Sequence, residues 1–151
     1  MWLRFAVGGA MLLLLAGSAP ADEVADRAKL LGAWQSAAGK DGDAIWTLEA
    51  KGEAIRLSET RQGETLLEFE CVAAGKECEA KVSGRKAKVS LWFNGSKLVV
   101  METRGSDVVE RRFQVAGEGD TLQVQILQVA PPGKPEMLEL KRLQAAAVRK
   151  Q

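Results

Sequence analysis

Apolar and polar residues alternate along most of this chain, from position 44 to position 142. A period of two is that of a β-strand with one buried face. The clearest run lies at 86–93, where the apolar positions are Ala87, Val89, Leu91 and Phe93. Comparable segments occupy 45–48, 55–60, 67–71, 98–103, 108–115, 122–129 and 137–142. The pattern predicts an all-β domain of about eight antiparallel strands.

Short turns separate these segments. Asn94-Gly95 stands between two strong strands, and a type I′ hairpin turn favours this pair because it needs positive φ at both central residues. The segments 105–107 and 117–120 are similarly short, whereas the proline-rich segment 131–135 cannot supply ladder hydrogen bonds and is predicted to be a loop. Consecutive hairpins favour an up-and-down meander, and closing it into a barrel removes the exposed edges.

The first 21 residues are typical of a secretory signal peptide. Arg4 precedes an apolar run at 5–15, and Ala19-Pro20-Ala21 offers a cleavage site. We therefore predict a signal peptide at 1–21, cleaved after Ala21, and a periplasmic or secreted protein with no membrane attachment afterwards. A retained anchor is the alternative, although the run is shorter than the roughly 20 apolar residues of a spanning helix. A barrel domain is predicted at 22–143 and a frayed or disordered tail at 144–151.

The charge of the mature chain is balanced. Of the 21 basic residues only Arg4 is lost with the leader, and all 20 acidic residues remain, so the predicted net charge is zero. A neutral protein has no electrostatic preference for nucleic acid or an anionic membrane. The partners that remain are a small apolar molecule or an extracytoplasmic protein.

Cys71 and Cys78 are the two cysteines, and an oxidising compartment favours a disulfide between them. The alternatives are a redox site, for which the CxxC spacing is wrong, and a metal site, for which the chain has no histidine. Without histidine or tyrosine most acid–base catalysis is also excluded. We therefore predict no catalytic residues, no metal, no cofactor and a protein that is not an enzyme.

The segment 22–31 precedes the alternating region. Val24, Ala28 and Leu31 share one helical face, with acidic residues early and Lys29 late, which suits the helix dipole. This spacing predicts a short N-terminal helix or arm that ends at Gly32.

Gly32-Ala33-Trp34, just before the predicted first strand, resembles a pattern of the lipocalin superfamily. The resemblance implies an antiparallel meander of about eight strands closed into a lipocalin-like β-barrel with a short N-terminal helix. It also implies that Trp34 closes one barrel end and that Arg142 on the last strand packs across its ring, with Gly32 permitting the close turn. Small bacterial periplasmic protease inhibitors are similar in outline.

Three apolar residues fall on the predicted outer surface. Trp92 lies on the polar phase of its strand, and Val99 and Met101 lie opposite Leu98 and Val100. The N-terminal arm, the tail or a partner would have to cover them, so they form a candidate interface. The leading hypothesis is an exported, non-enzymatic barrel with a small apolar ligand, provided its interior is not packed solid. The alternative is a protein-binding module such as a periplasmic hydrolase or protease inhibitor.

Overall fold

The alternating segments form a closed barrel in the computed structural model, which describes residues 21–36 and 44–144. The predicted signal peptide lies outside the described residues except for Ala21, and so does the predicted tail except for Gln144. The elements are α1 (Ala21–Lys29), β1 (Gly32–Ser36), β2 (Ala44–Lys51), β3 (Ala54–Arg61), β4 (Glu64–Val72), β5 (Cys78–Val82), β6 (Arg85–Asn94), β7 (Lys97–Arg104), β8 (Asp107–Ala116), β9 (Thr121–Ala130) and β10 (Glu136–Arg142).

Each strand pairs antiparallel with the next along the chain, and β1 pairs with β10 to close the ring. The predicted all-β meander, its closure and the short N-terminal helix are confirmed. The predicted number of about eight strands is wrong, because the described part of the chain holds ten.

The two strands that the alternation missed, β1 and β5, have five residues each. The alternation does not identify β1, because Gly32 in the sequence indicates the end of the helix. In the structure, Trp34 pairs in register with both Trp46 and Arg142. The alternation does not identify β5 either, because its inward residues include Cys78 and Ala80, whose small side chains do not form a clear alternation of apolar and polar residues.

The barrel interior is filled largely by aliphatic and aromatic side chains, since alternate residues of each strand point inward. Trp46 and Phe113 meet edge to face near the centre, with ring centroids 5.7 Å apart. No helix among the described residues is long and apolar enough to cross a membrane.

The two ends of the barrel differ. One end, called here the helix end, carries α1 together with the turns at 52–53, 95–96 and 117–120 and the loop at 73–77. The other, called the far end, carries the turns at 62–63, 83–84 and 105–106 and the loop at 131–135. The candidate site lies at the helix end.

Candidate functional site

Trp34, Arg142 and Gly32 meet at the helix end. The guanidinium carbon of Arg142 lies 4.0 Å from the centre of the Trp34 ring, at cation–π distance. Gly32 has φ +132°, and a Cβ there would lie 2.7 Å from Nη1 of Arg142. A residue larger than glycine would therefore displace the guanidinium from this position.

The Arg142 guanidinium also binds three backbone carbonyls. Nη2 donates to the carbonyl of Lys29 at 2.6 Å, Nη1 to that of Leu31 at 2.8 Å and Nε to that of Gly119 at 2.9 Å. Trp34 Nε1 donates to the carbonyl of Leu30 at 3.0 Å. A cation on the last carbonyls of a helix is favoured by the helix dipole. The C-terminal end of α1 and its connection to β1 are thus fixed to the barrel by three hydrogen bonds, and the fourth holds the turn at Gly119.

The side chains of α1 also contact the barrel, although no residue of the helix itself is buried. Arg27, in the last turn, donates from Nε to the carbonyl of Gly95 at 2.9 Å, and its guanidinium carbon lies 4.5 Å from the centre of the Phe93 ring. Glu23 is 3.6 Å from Arg27, one helical turn away.

A cavity of about 210 Å³ lies between α1 and the barrel. Most of its lining is apolar, and the exposed Gly52 and Glu53 stand at its mouth. The barrel contributes Leu48, Ala50, Ala54, Ile55, Ala73, Phe93 and Leu98, and the helix with its connection contributes Arg27, Ala28, Leu30 and Leu31. A concave apolar space with a few polar groups at its rim is the usual form of a small-molecule site.

A wider depression of about 560 Å³ lies outside the barrel, along 118–120 and 141–144. Its lining includes Glu118, Asp120 and Lys141, which are exposed. A ligand there would keep much of its surface in water, so the cavity under α1 is the better candidate.

The disulfide lies beside the cavity wall, next to two of its lining residues. Cys71 and Cys78 are joined, with their Cα atoms 6.0 Å apart, which confirms the predicted pairing. Cys71 is buried in the core and pairs in register with Ile55, which lines the cavity. Ala73, in the loop that the disulfide closes, lines it as well.

The far end holds a buried charged cluster that the sequence motifs do not single out. Glu102 is 1% exposed and Arg111 is 12% exposed, and Nη1 of Arg111 donates to Oε2 of Glu102. Nε of Arg104 lies 2.8 Å from Oε1 of Glu102 without forming an aligned hydrogen bond. The phase of the strands does point to this pair, because Glu102 follows Leu98 and Val100 on the inward side of β7.

The candidate interface on the outer face is smaller than the sequence indicates. Val99 is only 4% exposed, because Trp92 and Arg112 flank it on the neighbouring strands. Val99 therefore offers almost no contact surface, and it is Trp92 and Arg112 that cover it. An interface at Trp92, Val99 and Met101 stays a prediction. Trp92 and Met101 are half-buried, whereas Met137 and Val129 are more exposed, at 59% and 40%.

The residues that line the cavity are mainly apolar, so they suit the binding of an apolar molecule better than proton transfer. Among residues 21–36 and 44–144, no group of three or more His, Cys, Asp or Glu side chains could hold a metal ion. On the outer face of the barrel, away from the cavity, a hydrogen bond from Arg56 to Glu68 and the charge of Glu68 raise the pKa of Arg56.

The fold is shared with solved structures of low sequence identity. A fatty-acid-binding protein of Schistosoma mansoni in complex with arachidonic acid has a TM-score of 0.64 at 18% identity, covering 79% of this chain and 99% of that one. Secretory abundant heat soluble protein 4 of Ramazzottius varieornatus has a TM-score of 0.60 at 14% identity, covering 77% and 96%. Zebrafish ileal bile-acid-binding protein complexed with cholic acid has a TM-score of 0.58 at 12% identity, covering 76% and 99%.

No protein-family model matches the chain, and no curated protein does. The barrel nevertheless has the same fold as these solved structures, which agrees with the fold that the lipocalin resemblance implies. Identities this low establish the fold alone.

Proposed function

We propose that this protein is a carrier or scavenger that binds a small apolar molecule in the cavity beneath α1. The observation that carries this proposal is the cavity itself, about 210 Å³ and lined mainly by aliphatic side chains and Phe93. An apolar cavity of about 150 Å³ is large enough for benzene, and typical drug-sized sites begin near 300 Å³. The volume therefore suits a short alkyl chain or a small ring system.

Barrels of the same fold support the ligand class, because two of them are complexes with arachidonic acid and with cholic acid. The affinity can be bounded from the size of the ligand. Burying an eight-carbon chain contributes at most about 6 kcal/mol at roughly 0.8 kcal/mol per methylene, which corresponds to a Kd of tens of micromolar. 1-Octanol is thus a suitable probe.

Filling the cavity with a larger side chain should weaken the binding of 1-octanol. Leucine at position 73 would place a branched side chain in the cavity, so Ala73→Leu is expected to weaken 1-octanol binding at least tenfold in isothermal titration calorimetry. The melting temperature should stay the same as that of the parent protein, because the leucine side chain fills space that the cavity already provides.

Ala74→Leu is the matched control, since the same substitution is made one residue away at an exposed position. It should bind 1-octanol as the parent protein does. Equal binding by the two variants would contradict the proposed site, and no binding by the parent protein would contradict the proposed function.

We also propose that the protein acts outside the cytosol, on the strength of residues 1–21. The mature chain is then expected to begin at Asp22, which intact-mass measurement of the protein from its native host can check. A mass that includes residues 1–21 would instead favour the retained anchor.

A protein-binding module is the second candidate. The exposed Met137 and Val129, together with the half-buried Met101, provide apolar surface on the outside of the barrel. Partner binding through this face would be unaffected by Ala73→Leu, which distinguishes it from a function in the cavity.

A further inference from the structure

The hydrogen-bonded ladder between β4 and β5 has a gap at the helix end. β5 begins at Cys78, and its ladder with β4 consists of three pairs, from Leu67 to Phe69. The last residues of β4, 70–72, therefore have no ladder partner on β5, and the disulfide joins Cys71 to Cys78 in place of ladder hydrogen bonds. Beyond this disulfide, the loop 73–77 lies between the end of β4 and β6.

Three attachments hold this loop in the gap. The disulfide joins its two ends, the Ala74 N–H donates to the carbonyl of Val72 at 2.8 Å, and the Gly75 N–H donates to the carbonyl of Leu91 on β6 at 2.9 Å. The hydrogen bond to Leu91 is the one that bridges the gap, and the disulfide limits how far the loop can move away from it.

The first residue of the loop also forms part of the wall of the ligand cavity. Ala73 lines the cavity, and Cys71 lies beside the lining residue Ile55. Displacing residues 73–77 would therefore open the cavity sideways, between β4 and β6, while α1 stays fixed by Arg142 at its C-terminal end.

We propose that the Cys71–Cys78 disulfide is a redox-sensitive seal on this wall, which retains the ligand when oxidised and releases it when reduced. A dithiol reductant would attack the sulfur of Cys78, the less buried of the two cysteines, with Cys71 as the leaving thiolate. The second thiol of the reductant then completes its own disulfide. Two electrons and two protons pass to the protein, the S–S bond breaks and two thiols form.

The predicted release of ligand on reduction rests on the proposed function in the cavity. The predicted movement of the loop 73–77 does not depend on that function. Both are tested by treating the whole mature protein with dithiothreitol. Amide hydrogen exchange in 72–77 is expected to accelerate at least tenfold on reduction, with exchange in β9 unchanged, because β9 lies across the barrel from the gap. The affinity for 1-octanol should fall at least tenfold in the same sample.

The double variant Cys71→Ser/Cys78→Ser is the matched control. It should show both changes without reductant and no further change with it, while the melting temperature falls by about 10 °C and the barrel stays folded. Unchanged exchange in 72–77 on reduction would overturn the seal, and so would acceleration throughout the barrel or equal 1-octanol affinity in the two redox states. If the oxidised protein does not bind 1-octanol at all, the proposed function fails and the exchange measurement alone decides whether the wall opens.

Discussion

Replacing Trp34 with alanine is expected to lower the free energy of unfolding by about 3–5 kcal/mol, the usual cost of removing a fully buried large aromatic side chain. Trp34 has no exposed surface, and its ring lies between the barrel interior and the guanidinium of Arg142. The substitution removes this contact, the hydrogen bond to Leu30 and most of the apolar area of the side chain. Denaturation by guanidinium chloride followed by circular dichroism would measure the loss.

Two further substitutions separate the contributions of the Trp34 ring, its hydrogen bond and its burial to the free energy of unfolding. Trp34→Phe keeps an aromatic ring beneath Arg142 but leaves the carbonyl of Leu30 without this donor, and should cost about 1–2 kcal/mol. Trp92→Ala removes a tryptophan from the outer face, where the side chain is half-buried, and should cost clearly less than Trp34→Ala. A loss below about 1 kcal/mol for Trp34→Ala would contradict the role of this residue in closing the helix end.

The sequence predicts the architecture well because an alternating period is a direct consequence of the pleat. A strand with one buried face must place apolar residues at every second position, and eight of the ten strands are long enough to show it. β1 and β5 could not be found this way, since each has five residues and includes a glycine or small inward side chains. Their pairing is determined by contacts with distant strands.

The cavity could not be predicted from the sequence. Its walls come from α1, β2, β3, the 73–77 loop, β6 and β7, which meet only when the barrel closes. Alternation identifies Leu48 and Leu98 as inward, but whether inward side chains fill the space depends on the sum of their volumes and on where α1 rests. The residues that cover Val99 could not be predicted for a related reason, because the outward phase does not show that Trp92 and Arg112 flank it.

Neutralising Glu102 is expected to have the second large effect on stability. Glu102→Gln keeps the shape of the side chain but leaves the Arg111 guanidinium, which is 12% exposed, without its anionic partner inside the barrel. Breaking a buried ion pair by removing one charge typically costs 3–5 kcal/mol, and the partial exposure of Arg111 and the nearby Arg104 argue for about 3 kcal/mol here. The loss would be measured by denaturation at neutral pH.

A second ion pair in the same hairpin region supplies the control. Glu110, whose side chain is 13% exposed, pairs with Arg112 on the outer face of β8. Because the Arg112 charge that remains after Glu110→Gln is 47% exposed and stays in contact with water, this substitution should cost no more than about 1 kcal/mol. The double substitution Glu102→Leu/Arg111→Met should recover most of the stability that Glu102→Gln loses, because it removes both buried charges and leaves neither unpaired. Equal losses for Glu102→Gln and Glu110→Gln would contradict this account, since they would show that water reaches the inner pair as freely as the outer one.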